Sequence, residues 1–239
     1  MLFTLWVPQK TAKLKRNATI LNWLLFISWL PVFLLGIHLY SSNEPIWIDD
    51  HFILGMILGL VSGIVLHELG HFIAALSSNK SEVYELGIGL KFLLPCAYNL
   101  IDCEKASRTD KIQIYAAGCE MNALLSGIFL MLATVWDTFA SAFFMAAILN
   151  ISMVALNMIL ITGFDGMILF SQLLGIDLIE LSKTINAIVF KRNIRKRFIR
   201  KGLDGFAFVV VSYVLELIKI GYPLLLILNV WEVILWIKL

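Results

Sequence analysis

Long apolar runs separated by short polar stretches dominate this chain. Four runs cover residues 18–40, 52–78, 112–136 and about 138–163. Each is as long as the roughly 20 residues that a helix needs to cross a bilayer. The pattern therefore predicts four transmembrane helices.

Two shorter apolar runs near the C-terminus, 206–220 and 223–237, flank Gly221 and Tyr222. They predict two further short spans or one bent hairpin. We therefore expect an all-α polytopic membrane protein with about six transmembrane helices.

The segment 81–101 does not follow the helical pattern. Residues 83–92 partly alternate between polar and apolar, contain Gly87 and Gly89, and are followed by Pro95. Such a run is typical of a strand-like segment, here re-entrant or interfacial. Backbone of this kind is tolerated at membrane depth where protein covers it or where it lines a wet cavity. The mixed stretch 167–190 predicts an interfacial segment.

Composition supports the membrane assignment. The chain of 239 residues is 60% hydrophobic and 15% charged, with a mean hydropathy of +0.87, whereas soluble proteins contain about 25% charged residues. A net charge of +2 gives no indication of nucleic acid. Cys96, Cys103 and Cys119 form no CxxC pair, so neither a disulfide framework nor a thiolate metal site is indicated.

Without a linker or a repeat, the chain is interpreted as a single integral membrane domain, 1–239. We place the core of the domain at 52–175, a basic cytoplasmic segment at 191–201 and a C-terminal hairpin at 204–239. The seven basic residues of 191–201 are expected to contact anionic membrane lipid.

Charge also predicts the orientation in the membrane. The loop 41–51 has three carboxylates and no Lys or Arg, which places it outside. The N-terminus is then cytoplasmic. The protein is expected to be a multi-pass protein of the cell membrane.

An HExxH pattern, from His67 through Glu68 to His71, lies inside the second apolar run. Residues four apart share one helix face, so both imidazoles can hold a single zinc ion while Glu68 serves as general base. Ionisable groups at membrane depth by default indicate a functional site. The alternative is that each histidine only forms a hydrogen bond to a neighbouring helix. We predict one Zn²⁺ per chain.

A catalytic zinc requires a third protein ligand and an open position. The remaining histidines, His38 and His51, lie at the outer ends of their helices; at a rise of about 1.5 Å per residue, His51 is roughly 24 Å from His67. The third ligand should therefore be a carboxylate. The candidates near the cytoplasmic face are Asp165, Glu120, Asp102 and Asp204.

The HELGH helix, followed by Asn157 and, eight positions later, by Asp165-Gly166, resembles the site-2 protease family of intramembrane zinc metalloproteases. The resemblance covers about 55–175 and implies that Asp165 is the third ligand. The chain departs from the family in having Leu160 at a position where Pro is common, and Gly163-Phe164 in place of Pro-Leu.

Two other elements follow the same resemblance. Gly118 through Asn122 is similar to the family's Gly-xxx-Asn element, which implies that Asn122, and with it Asn157, binds substrate or stabilises the oxyanion. The strand 83–92 is implied to pair with an unwound substrate, with an amphipathic surface loop as the alternative. Glu120 is either a partner of a zinc-bound histidine or a residue facing water.

Leu203-Asp204-Gly205 is a literal Leu-Asp-Gly, but it follows the basic run and lacks an Asn eight residues earlier. We expect Asp204 to be an N-cap instead of a ligand.

The expected activity is hydrolysis of a peptide bond by a zinc metalloendopeptidase, with its active site toward the cytoplasm. The substrate is a membrane-associated peptide or a single-span protein. Because the chain has no room for a PDZ module, and because of the segment 86–95, it looks like the short PDZ-less branch that matures ribosomally made, secreted peptides such as bacteriocins or pheromones. Peptide-export machinery is then a further expected partner.

Two alternatives remain open. One is regulated cleavage of an anti-sigma factor or of a signal-peptide remnant. The other is a non-catalytic zinc-binding partner or immunity protein of a peptide exporter.

Overall fold

The computed structural model describes residues 3–6, 11–43, 49–91, 94–159, 164–217 and 221. The chain divides into two compact units, Met1–Asn157 and Met158–Leu239. The single domain over 1–239 stays a prediction.

Four long helices form most of the first unit. They are α1 (Ala12–Ser41), α2 (Phe52–Ser77), α3 (Arg108–Val135) and α4 (Ala140–Asn157). With the short 3₁₀ turn Asp137–Phe139 added to α4, all four are long and apolar enough to cross a membrane. The four predicted spans are therefore confirmed.

The boundaries differ at two places. α1 begins six residues before the apolar run, because the hydroxyl of Thr11 accepts a hydrogen bond from the main-chain N–H of Leu14 at 3.2 Å and caps the helix. α4 ends at Asn157, although the apolar run continues to 163. Hydropathy does not register the end of a helix inside an apolar stretch. The total of six spans stays a prediction, since 223–237 lies outside the described residues.

Small residues bring the helices of the first unit close together. A Cβ added to Gly70 of α2 would lie 2.5 Å from the main-chain oxygen of Ala117 on α3, and one added to Gly59 would lie 2.9 Å from the Cα of Ala146 on α4. In lipid, such close backbone approach replaces the hydrophobic drive that packs helices in water. The result places α2 directly against both α3 and α4.

A three-stranded antiparallel sheet accompanies these helices. β1 (Phe3–Trp6), β2 (Glu82–Lys91) and β3 (Leu94–Asp102) lie in the order β1-β2-β3. The predicted strand-like segment is confirmed, but β2 is the central strand, with β1 on one edge and β3 on the other. Among the described strands, the unpaired edges belong to β1 and β3. The pairing of 83–92 with a substrate stays a prediction.

The hairpin of β2 and β3 is fixed to the C-terminal end of α2. Ser81 donates a hydrogen bond from its hydroxyl to the main-chain oxygen of Ala75. Ile101 and Val83 pack on a buried cluster that includes Ala74 and Ala75. This anchoring holds β3 beside the HExxH segment of α2.

The second unit contains shorter helices. They are α5 (Asp165–Leu174), α6 (Leu178–Phe190), α7 (Arg192–Ile199) and α8 (203–217). Gly175, in the left-handed conformation with φ 68°, ends α5, and the Asp177 side chain caps α6. α7 carries the predicted basic run, and its Arg195 donates to the main-chain oxygen of Val189 at 3.0 Å.

Candidate active site

The two histidines of the HExxH pattern converge on one point. α2 buries both side chains, at 7% exposure for His67 and 6% for His71. Their Nε2 atoms lie 3.1 Å apart, and the two ring planes are inclined at 85°. The helical spacing thus brings together two nitrogen donors of the kind that bind zinc.

The tautomer of His71 is set by its neighbour on α3. Nδ1 of His71 lies 2.6 Å from the main-chain oxygen of Ile114. A carbonyl oxygen can only accept, so Nδ1 carries the proton and Nε2 presents its lone pair. Metal-binding histidines are commonly oriented in this way. A main-chain partner leaves no motif in the sequence, so Ile114 could not have been found there.

His67 has a side-chain partner, Asn122, which is fully buried on α3. The Asn122 Nδ2 lies 3.2 Å from Nδ1 of His67, while its Oδ1 has no hydrogen-bond partner among the described residues. If the Asn122 amide is turned by 180°, its Oδ1 accepts a hydrogen bond from the Nδ1–H of His67. The Nε2 of His67 then presents its lone pair to a metal. The orphaned oxygen therefore fits a zinc-binding His67.

Gly118 lines the space next to both rings. A Cβ at this position would collide with Nε2 of His71 and would lie 2.6 Å and 2.7 Å from Cε1 and Nε2 of His67. The absence of a side chain at Gly118 keeps the two nitrogens accessible. This explains in physical terms the glycine that begins the predicted Gly118–Asn122 element.

Glu68, which follows the first histidine, is half-buried and accepts hydrogen bonds from a residue of the sheet. Asn99 of β3 donates through Nδ2 to the Glu68 carboxylate Oε2 at 2.8 Å and to the Glu68 main-chain oxygen at 2.5 Å. Sequence reasoning missed Asn99. No motif marks it, since the contact joins residues 31 positions apart on elements of different type.

The candidates for a third ligand lie in different environments. Asp102 accepts a hydrogen bond from the N–H of Glu104 at 2.8 Å and lies 3.5 Å from the Tyr84 hydroxyl. Glu120 is half-buried on α3. Asp204 is exposed in the first turn of α8, beyond Gly202, so it is not the N-cap. Its carboxylate there still complements the positive end of the helix.

Asp165 is the first residue of α5, in the second unit, and is half-buried. Asp165 follows the fourth apolar run of the sequence and begins a new helix, because Phe164 before it is extended (φ −108°, ψ 151°). The aspartate therefore lies where the helix dipole favours a carboxylate. Its carboxylate offers an oxygen donor of a type that binds zinc.

The other predicted residue, Asn157, ends α4. Its Nδ2 donates to the main-chain oxygen of Met153 at 3.1 Å, one turn earlier in the same helix. The roles predicted for Asn157, Asn122 and Glu120 stay predictions.

The family model of peptidase family M50 matches residues 55–142. This family is that of the site-2 proteases and depends on zinc. No curated protein and no solved structure matches the chain significantly. Residues 55–142, which include most of α2, the β2–β3 hairpin and α3, are therefore similar to peptidase family M50, and the predicted resemblance of the chain to the site-2 proteases is confirmed.

Proposed function

We propose that this protein is a zinc-dependent endopeptidase that cleaves its substrate within the membrane. The observation that carries the proposal is the pair of Nε2 atoms of His67 and His71, 3.1 Å apart, inside a helix long and apolar enough to span a bilayer. Two buried imidazoles with an adjacent carboxylate are costly in lipid and are explained by a metal site with a general base.

When bound, a zinc ion would supply a Lewis acid that polarises the scissile carbonyl and lowers the pKa of water. His67 and His71 would hold it through Nε2. Glu68 takes a proton from the attacking water and passes it to the nitrogen of the leaving amine. The Asn99 amide, at 2.8 Å, holds the Glu68 carboxylate for this transfer.

We propose Asp165 as the third ligand, with one zinc per chain. Its support is the donor type and the spacing of eight residues after Asn157. Zinc content of the purified protein, measured by mass spectrometry, tests the assignment. We expect Asp165→Asn to lose the metal and Asp204→Asn, the matched control, to retain it; the reverse would make Asp204 the ligand.

The general base is tested by Glu68→Gln, with Glu104→Gln as a control at an exposed carboxylate. We expect Glu68→Gln to retain zinc and to lose at least about 100-fold in cleavage rate, the usual minimum contribution of a general base. Zinc binding without any dependence of function on Glu68 would instead favour a non-catalytic zinc-binding partner or immunity protein of a peptide exporter.

We propose that the site opens toward the cytoplasm of the cell membrane. Lys15 at the start of α1 donates a hydrogen bond to Asn79 just beyond α2, so these two helix ends lie together. His71 is six residues, roughly 9 Å at the helical rise, from that end. Basic residues prefer the cytoplasmic side, and the basic α7 would bind anionic lipid there.

Labelling of single cysteines with an impermeant maleimide in oriented vesicles tests this topology. Lys80→Cys should react from the cytoplasmic side, and Ser42→Cys, at the other end of α1, from the opposite side. Reaction of both from one side would contradict the topology.

We propose that the substrate is a ribosomally made, secreted peptide, matured in association with peptide-export machinery. The support is the likeness of 86–95 to the short PDZ-less branch. Glu68→Gln, still binding zinc, should retain its substrate, which mass spectrometry of the co-purified material then identifies. A short precursor peptide supports maturation, whereas a single-span anti-sigma factor or a signal-peptide remnant supports regulated intramembrane cleavage.

A further inference from the structure

Asn99 on β3 contacts Glu68 twice through one nitrogen. Its Nδ2 donates to the carboxylate at 2.8 Å and to the main-chain oxygen at 2.5 Å. We propose that Asn99 is the positioning residue for the general base, and that its Oδ1 accepts a main-chain N–H of the bound substrate. The inference rests on the proposed function and adds to it a link between the sheet and the proton-transfer group.

The chemistry of the contact determines which end of the Asn99 amide faces Glu68. Both atoms contacted on Glu68 are oxygens that accept, so the donor group must point at them. The planar amide then directs Oδ1 the other way. This oxygen is buried and has no partner within the described part of the chain.

A buried acceptor without a donor is unfavourable, which points to a ligand that brings an N–H. An extended peptide presents main-chain N–H groups to a strand that binds it. Oδ1 belongs to the same amide that holds Glu68. A substrate that is hydrogen-bonded to Oδ1 would therefore be held at a fixed position relative to the general base.

The placement of Asn99 makes it a rigid support. Its Cα pairs with that of Leu86 on β2, and β3 packs on α2, so the amide is fixed by the sheet. A glutamate side chain is long and loses much rotamer freedom when held. Proton transfer is sensitive to displacements of about 1 Å. The contacts of Asn99 with the carboxylate and with the main-chain oxygen of Glu68 would therefore keep the carboxylate in the position that proton transfer requires.

The neighbours of Asn99 supply the matched control. Side chains alternate along a strand, so Tyr98 and Leu100 lie on the opposite face. Tyr98 bonds to Glu85 of β2, and Leu100 is 53% exposed. Leu100→Ala therefore alters the same strand without touching Glu68.

The test compares Asn99→Ala, Asn99→Asp, Asn99→Gln and Leu100→Ala in the full-length protein. Kinetics are measured on a quenched fluorescent peptide with one apolar span of about 20 residues, and zinc content is measured alongside. We expect Asn99→Ala to lower kcat about 10- to 100-fold at unchanged zinc content, because Glu68 loses the amide that holds it. KM should rise, because the substrate loses its hydrogen bond to Oδ1. Leu100→Ala should leave kcat and zinc content unchanged.

Asn99→Asp separates positioning from packing. It keeps the shape of the side chain but has no donor and faces the Glu68 carboxylate, so we expect a kcat as low as that of Asn99→Ala or lower. Asn99→Gln keeps the donor and should recover part of kcat. Wild-type kcat in Asn99→Asp or in Asn99→Ala would overturn the positioning role, and an unchanged KM in Asn99→Ala would overturn the substrate contact.

A thermal double-mutant cycle tests the contact without catalysis. Wild type, Asn99→Ala, Glu68→Ala and the double variant are compared by melting temperature. We expect the shift of the double variant to be smaller than the sum of the single shifts; additive shifts would overturn the proposal. Failure of wild type to cleave the probe, by contrast, would count against the proposed function, whatever the cycle shows.

Discussion

Two asparagines within the membrane-spanning helices share the same burial but differ in their surroundings. Asn122 on α3 and Asn150 on α4 are both 0% exposed, and both have an Oδ1 without a hydrogen-bond partner among the described residues. Each belongs to a helix packed against α2. Asn122 faces the ring of His67, whereas Asn150 donates to the main-chain oxygen of Ala146 at 2.9 Å and lies 3.4 Å from that of Gly59.

The difference shows that burial of a polar residue in lipid does not by itself identify an active-site residue. The contact between α2 and α3 leaves the Nε2 atoms of His67 and His71 3.1 Å apart beside Gly118, as a metal site requires. The contact between α2 and α4 uses polar atoms to join helices, as Ser126 does with the main-chain oxygen of Ala147. The first arrangement is expected to govern zinc and catalysis, and the second to govern stability.

The largest expected effect comes from adding one methyl group at each contact. Gly118→Ala places a Cβ against Nε2 of His71 and 2.7 Å from Nε2 of His67. We expect it to lose zinc and activity. Gly59→Ala, the matched variant, meets Ala146 instead, and should lower stability by about 1–3 kcal/mol through overpacking while retaining zinc. Zinc content and thermal unfolding are measured for both variants. Full zinc content in Gly118→Ala would contradict the proposed role of the contact between α2 and α3 in metal binding.

The two asparagines themselves are the next test. Asn122→Ala removes the partner of His67, and we expect zinc affinity to fall about 10- to 100-fold. Asn122→Asp keeps an acceptor for the Nδ1–H of His67 and should restore most of this affinity. Asn150→Ala should leave zinc affinity unchanged and lower the melting temperature. Zinc titration with a competing chelator measures the affinities. Equal losses of zinc affinity in Asn122→Ala and Asn150→Ala would contradict the different roles assigned to the two asparagines.

Periodicity was sufficient to predict the histidine pair. A spacing of four residues in an apolar run places His67 and His71 on one face, and the run length predicts the spanning helix. The strand-like character of 83–92 followed from alternation in the same way. These are local properties of the chain, so they can be predicted without knowing which elements are neighbours.

What could not be predicted depends on which elements meet. Asn122 and Asn150 look alike along the chain, and their roles separate only when α3 is known to face the HExxH side of α2. Asn99 is one polar residue in a strand, and its contact with Glu68 exists because β3 packs on α2. The end of α4 at Asn157 was missed as well, since hydropathy is uniform across it.

A smaller effect is expected where α3 and α4 join. Ser126 donates its hydroxyl to the main-chain oxygen of Ala147 at 3.0 Å, and such bonds between helices in a membrane contribute about 0.6 kcal/mol. Ser126→Ala should therefore lower the free energy of unfolding by about that amount and leave zinc unchanged. Thr134→Ala is the control, because that hydroxyl donates within its own helix, to Met131. Loss of zinc in Ser126→Ala would extend the metal site into the contact between α3 and α4.

The smallest expected effect is a pH dependence at the N-terminal end of α4. The Ser141 hydroxyl donates to Asp49 in the loop before α2, and this bond is the main reason why the pKa of Asp49 is below its usual 3.8. A carboxyl group with a depressed pKa stabilises the fold above its unfolded pKa, and this stabilisation is lost as the pH falls through the folded value. Ser141→Ala should therefore melt slightly below wild type at pH 6, and the difference should shrink as the pH falls below 3.8. Ser42→Ala, which removes an exposed hydroxyl bonded to the main-chain oxygen of His38, is the control. Its difference in melting temperature from wild type should not change with pH in this way.

Because Asp49 is about half exposed, solvent screening keeps the effect of Ser141→Ala small. A change in zinc content in Ser141→Ala would contradict the assignment of this contact to stability alone.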